Sequence, residues 1–320
     1  FGIDYNHIGI TNLDLNIGNF KIHDDAYTFD IGHISCSEKS GLELKDFSSI
    51  VFINEGKIQL DELNFNMGSS HILADYFSLD FDTWDDFNAF KDQVNFDANI
   101  DSSVVSLKDV SFFVDELKGM NELIAAKGRI KDPINELKLN DVFLAFGSSS
   151  YIKGDFELPD FSDTANQFLT QYFSQVYIDL DDLNQVKLPD GMAQLKMAQS
   201  FEMNKFLSLT DLTIMGSDKE FDFEFDELKS ELGELHLPDA MRLNWDSDMV
   251  KIFPSKSHFG KLLISEFQLG RFLNEDLLGN LSGSIEPIIE ISTDGDVSFK
   301  IENSDISNFG FNGYNVSQIE

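Results

Sequence analysis

The sequence predicts a mainly β protein: one long antiparallel sheet with a few short helical insertions. Three observations carry that expectation. Apolar and polar residues alternate in stretch after stretch, copies of one strand-and-turn pattern recur, and helical periodicity is confined to short segments.

The alternation is strictest in Phe221-Asp222-Phe223-Glu224-Phe225-Asp226. Phe77, Leu79 and Phe81 alternate with Ser78, Asp80 and Asp82, and the series Val94, Phe96, Ala98, Ile100 and Val297, Phe299, Ile301 follow the same period. In a strand, a period of two gives each residue set its own face, so one side is apolar and the other carries Asp, Asn and Ser. One-sided strands are the antiparallel pattern, since parallel strands buried on both faces read as unbroken apolar runs. The arms around Asp294-Gly295, from Ile288 to Ile301, read as a hairpin.

Four copies of a strand that ends at glycine lie on top of this alternation. Ile10 to Asn19 aligns with Leu60 to Ser69 and Leu139 to Ser148, and the shorter Leu209 to Ser217 follows. Each reads as a strand, a turn in which glycine supplies positive φ, and a returning strand. Their irregular spacing excludes a fixed-period solenoid and favours a β-meander lengthened by hairpins.

Helical character appears between copies. Asp82 or Thr83 caps a short helix through Trp84, Phe87 and Phe90, and Asp109 caps another through Phe112 and Phe113. A longer helix is expected from about Asp163 to Val176, with Phe168, Leu169, Tyr172 and Phe173 on one face. Gly191 to Ser200 and Arg271 to Leu278 are weaker helical stretches. The chain therefore divides into a first sheet segment at 1–158, a helix-containing insertion at 159–205 and a continuation of the sheet at 206–320, all one unit.

Composition narrows the function. The 320 residues include 57 acidic and 23 basic side chains, a net charge of −34. A surface this acidic repels phosphate backbones and anionic bilayers, which excludes nucleic-acid binding and basic-patch membrane attachment. Disorder is excluded by a 42% hydrophobic content with 31 phenylalanines. The longest apolar run, Val142 to Phe146, is far short of the ~20 residues of a spanning helix. Phe1 at the start and strand-like alternation from Asn315 to Glu320 read as a piece of a longer chain. The single Cys36 allows no internal disulfide and fits either redox compartment.

Catalytic signatures do not assemble. There is no nucleophile elbow, P-loop or dinucleotide fingerprint. The Gly-Ser-Ser at 68–70 and at 147–149 reads as turn chemistry rather than a nucleophile. Asp85-Asp86 and Asp181-Asp182 are read as a solvated acidic face rather than glycosidase carboxylates. His33 and Cys36, with His23 upstream, lack a second ligand pair for structural zinc, and Asp294-Gly295-Asp296 lacks the other ligands of a calcium loop. The sequence thus predicts no enzyme, no cofactor and no metal.

The residues do resemble the TamB-like branch of the AsmA-like superfamily. The resemblance rests on Asp101-Ser102-Ser103 with Leu107-Lys108-Asp109 through Leu117-Lys118-Gly119-Met120, and on Leu137-Lys138-Leu139 to Gly154-Asp155-Phe156 running into Leu158-Pro159-Asp160-Phe161. It continues in Leu269-Gly270-Arg271-Phe272-Leu273, in Leu278-Gly279-Asn280-Leu281-Ser282-Gly283 and in Phe309-Gly310-Phe311-Asn312-Gly313-Tyr314-Asn315. It implies an elongated sheet curved into a U-shaped hydrophobic groove, in a periplasmic protein anchored in the inner membrane. The implied role is a conduit for phospholipid to the outer membrane, supporting its assembly, with a TamA-like outer-membrane barrel as partner. The family's membrane anchor and C-terminal domain are not in this sequence.

Residue chemistry agrees with that role. Dragging two acyl chains of about 15 methylenes through water costs roughly 24 kcal/mol, which a continuous apolar groove removes. About 18 to 20 strands at about 4.8 Å would extend such a groove over about 90 Å. The expected lining is Leu63, Phe65, Met67, Phe77, Leu79, Phe81, Val94, Phe96, Phe221, Phe223, Phe225, Val297, Phe299 and Ile301. The competing readings are a closed core and, with it, a cell-surface β-sandwich that binds glycans or calcium.

Overall fold

The computed structural model describes residues 9–113, 117–157, 169–187, 205–217, 220–246, 249–254, 261–292 and 297–317. They form one antiparallel sheet of 18 strands, as the alternation predicts. The strands are β1 (Ile10–His23), β2 (Ala26–Glu38), β3 (Glu43–Ile53), β4 (Lys57–Met67), β5 (Ser70–Asp80), β6 (Asn95–Ser106), β7 (Leu123–Asp132), β8 (Lys138–Phe146) and β9 (Ser150–Glu157). They continue as β10 (Leu169–Asp179), β11 (Phe206–Gly216), β12 (Glu220–Ser230), β13 (Gly233–Asp246), β14 (Met249–Pro254), β15 (Leu262–Gln268), β16 (Leu278–Ser292), β17 (Val297–Phe311) and β18 (Tyr314–Val316). Strands pair with their chain neighbours, with one exception. Both β14 and β15 pair with β13 on one side and β16 on the other.

Among the described residues, four short helices interrupt the meander: α1 (Phe90–Gln93), α2 (Leu107–Val110), α3 (Leu180–Gln185) and α4 (Leu269–Leu273). A 3-10 turn over Trp84–Ala89 leads into α1, and its N-cap is Thr83. The helix expected from Asp163 to Val176 is instead β10 over its described part. Leu169, Tyr172 and Phe173 belong to that strand and pair with Gly216, Thr213 and Leu212 of β11. Apolar runs this short fit both periods, and pairing with β11 decides for the strand. Asp109 does not cap α2; Ser106 does, its Oγ accepting from the Asp109 N–H at 3.4 Å. The stretch expected from Arg271 to Leu278 begins two residues earlier, as α4, and Leu278 already belongs to β16. Gly191 to Ser200 lies outside the described residues.

Contacts divide the chain into two compact units. The first comprises Phe1–Ser148, Asp155–Asp160 and Gln185–Gln194, and the second Ser149–Gly154, Phe161–Asn184 and Leu195–Glu320. In the second, Phe225, Leu237 and Met241 form a buried cluster against which Leu209, Leu212, Phe223, Leu228 and Leu235 pack.

The repeat copies share a backbone device that alternation alone does not reveal. Asn12, Glu62, Asp141 and Asp211, the third residue of each copy, all have φ between 50° and 55°. Such left-handed residues are the mark of a β-bulge, which counts one extra residue against the neighbouring strand. Register slips at this point between β1 and β2, β3 and β4, and β7 and β8. The sequence slips in step: apolar spacing changes from two to three across each copy, as from Leu60 to Leu63 or Leu209 to Leu212. A one-residue slip would turn the later residues to the other face, and the bulge turns them back. Leu209 and Leu212 accordingly pack against the same buried cluster.

Candidate functional site

The candidate site is the apolar face of the sheet. In the first unit, the register sets Leu60, Phe77 and Ala98 side by side across β4, β5 and β6, and Ile58, Leu79 and Phe96 beside them. Directly opposed residues share a face, and the Phe77 and Phe96 rings meet edge-on at 5.8 Å. Leu63 and Phe65 oppose Ala74 and Ile72, and Phe65 meets Phe47 of β3 at 6.2 Å.

One end of this face is covered by the insertion between β5 and β6. Phe90 of α1 contacts Phe96 at 5.7 Å, Phe87 contacts Phe90 at 5.7 Å and Phe81 at 5.0 Å, and Trp84 contacts Phe81 at 4.8 Å. Phe81 and Val94, at the two ends of the insertion, are buried beneath it, at 6% and 0% exposure. These rings are the physical reason the insertion folds: its polar residues face outward, and its apolar positions cap the sheet.

The expected lining separates into two groups. Leu63, Met67, Phe81, Val94 and Phe225 are buried, whereas Phe65, Phe77, Leu79, Phe96, Phe221 and Phe223 are half-buried and Ile301 is exposed. Val297 and Phe299 stand on β17 in register with Ile291 and Ile289 of β16. The described strands all belong to one sheet, and the half-buried rings keep part of their surface in water.

The opposite face is polar and laced by hydrogen bonds. Gln59 donates to Asp61 at 2.7 Å, Ser78 to Asp80 at 2.9 Å, and Asn64 to Asp46 at 2.8 Å. Tyr76 donates to Asp97 at 2.8 Å, a bond that raises the phenol's pKa. In the second unit Arg242 reaches Asp222 at 2.7 Å and Glu220, which raises its pKa further. His33 belongs to this face, with Nδ1 2.6 Å from Asp46 and Nε2 3.1 Å from Ser35, while Cys36 is a free thiol.

Two features escaped sequence reasoning. Asp182, read above as part of a solvated acidic face, is buried and accepts from the Ser149 and Ser150 N–H groups and the Ser150 hydroxyl at 2.9–3.0 Å. Asp109 does the same for Ser69 and Ser70 at 2.7–2.8 Å. The Gly-Ser-Ser segments are thus turns, as read, each closed by a carboxylate from a later helix. The recurring Leu-x-Asp, in Leu107-Lys108-Asp109 and Leu180-Asp181-Asp182, was the available signal. The other missed feature is a group of possible metal ligands, Glu227, Glu234 and His236, on the polar face of β12 and β13.

The fold and this face define an antiparallel β-meander protein with one polar and one apolar face to its strands. Comparison with protein-family models, curated proteins and solved structures gives no match for the chain. Among the described residues, no helix is long and apolar enough to cross a membrane.

Proposed function

We propose that the protein is a non-enzymatic carrier of phospholipid, whose apolar face holds acyl chains while headgroups stay in water. In the TamB-like setting suggested by the sequence it would act in the periplasm between inner and outer membranes, with a TamA-like barrel as partner. The observation that carries the reading is the half-buried rings on the apolar face of each unit, Phe65, Phe77 and Phe96 in the first and Phe221 and Phe223 in the second, in a fold whose described strands all belong to one sheet. A water-exposed face of this kind costs free energy unless something apolar occupies it. Hydrocarbon chains suit it because they slide over Phe and Leu without directional bonds to break. The polar face accounts for the charge, since acids outside keep a one-sided sheet soluble.

The test is substitution of Phe65→Asp and Phe223→Asp, with binding of a fluorescent fatty acid as the readout. Both variants are expected to keep sheet circular dichroism and cooperative melting while binding the acyl probe at least tenfold more weakly. Wild-type protein that ignores the probe, together with variants that simply unfold, would make the face a closed core.

A further inference from the structure

We infer that Glu227, Glu234 and His236 form a binding site for a transition-metal cation of the zinc class, with Lys229 as its built-in competitor. The three side chains offer ligand atoms that all lie within 4.8 Å of one another. They come from facing positions of β12 and β13, where Lys229 opposes Glu234 and Leu228 opposes Leu235.

A bulge builds the site. Register slips between Phe225 and Leu228, so Asp226 and Glu227 together stand against His236. Bulges re-aim side chains in this way, and here two groups reach one imidazole. The Asp226 carbonyl lies 2.7 Å from His236 Nδ1. A carbonyl only accepts, so Nδ1 carries the proton and the Nε2 lone pair is left for a ligand. Metal-binding histidines are held in this manner, with a carbonyl or carboxylate fixing the tautomer through the second nitrogen.

The Lys229 ammonium now occupies the position a cation would take. It lies 2.7 Å from Glu227 Oε2 and 3.8 Å from Glu234 Oε1, and these carboxylates raise its pKa. Ligand atoms around tetrahedral zinc are about 3.3 Å apart, so the half-exposed glutamates need only a small rotation to close on an ion. Water would complete the coordination. An imidazole beside two carboxylates selects zinc-like ions over calcium, which prefers oxygen alone. On the reverse side of these strands lies the Phe225–Leu237–Met241 cluster, so a bound ion would pin the hairpin that carries it.

Melting with and without Zn²⁺ on the intact chain tests this. At Zn²⁺ about 100-fold above its dissociation constant, the wild type should melt about 5 °C higher. His236→Ala should leave the metal-free melting within about 2 °C and bind Zn²⁺ at least tenfold more weakly by calorimetry. Lys229→Met should bind it several-fold more tightly, because the competing ammonium is gone. The inference is overturned if Zn²⁺ does not shift the wild type, if His236→Ala responds as the wild type does, or if Ca²⁺ shifts melting equally.

Discussion

The carboxylate that closes the β4–β5 turn and the one that closes the β8–β9 turn perform the same task with different helpers. In the first unit, Asp109 alone accepts from Ser69 N, Ser70 N and Ser70 Oγ, and the Ser70 hydroxyl in turn accepts from Ser106 N at 3.0 Å. In the second unit, Asp182 takes the equivalent three bonds, but Asp179 stands where Ser106 stood. Its N–H donates to Ser150 Oγ at 2.9 Å, and its carboxylate accepts from Ser149 Oγ at 3.0 Å. A third arrangement appears at the β12–β13 turn, where Arg271 of α4 reaches the Glu231 carbonyl at 3.5 Å and its carboxylate at 3.9 Å. The recurring element is therefore a helix that follows a later strand and reaches back to close an earlier turn. Its chemistry is interchangeable wherever the orphan groups of the turn find a partner.

The difference predicts unequal costs. Asp109→Ala strands three donors and should cost about 3 kcal/mol. Asp182→Ala strands three donors as well but should cost about 2 kcal/mol, because the Ser149 hydroxyl stays bound to the Asp179 carboxylate and still anchors the turn. The two tryptophans separate the units: urea unfolding followed by Trp84 in a Trp245→Phe background reports the first, and the reciprocal background the second. Equal losses would mean that Asp179 contributes nothing.

Ser70→Ala and Ser150→Ala remove a hydroxyl that both donates and accepts, so each should lose about 1–2 kcal/mol, alike in both units. A much larger loss at Ser150 would show that the flanking Asp179 and Asp182 charges depend on it. Arg271→Met should cost at most about 0.5 kcal/mol, since the Arg271–Glu231 pair is half-exposed.

The smallest effect is a pH dependence at the β2–β3 turn. The Gly9 and Ser40 N–H groups, donating to its two oxygens, hold the Glu38 carboxyl down to about 2. A depressed carboxylate stabilises the fold above its ordinary range, so this contribution is intact above about pH 4.5 and disappears as pH falls towards 2. Carboxyl NMR titration should give Glu38 a midpoint near 2, and an ordinary midpoint would remove the clamp from the account.

Much of the sheet was legible because a period of two is written in residue type, as in Phe221 to Asp226. The turns at Gly68, Gly147 and Gly216 were legible for a related reason: all three have positive φ and end a strand. Gly18 was not such a turn, since β1 runs through it to His23. The bulges at Asn12, Glu62, Asp141 and Asp211 were visible only as a phase change, which reads as noise unless its recurrence at one repeat position is noticed. Asp109 and Asp182 were harder, because a carboxylate's burial depends on turns about 30 to 40 residues away. β10 was misread because Leu169, Tyr172 and Phe173 satisfy a helical face as well as a strand. Of the candidate site, Phe65, Phe77, Phe96 and Phe223 were found by alternation. The aromatic cap over Phe81 and Val94 was foreseen as a helix without its destination.

Native mass spectrometry of the intact protein, purified from a phospholipid-containing host without detergent, tests the central claim most directly. The account predicts adducts of phospholipid mass at near-stoichiometric occupancy, lost in Phe65→Asp and Phe223→Asp variants that still melt cooperatively. A lipid-free spectrum, with the two variants unfolded, would contradict it.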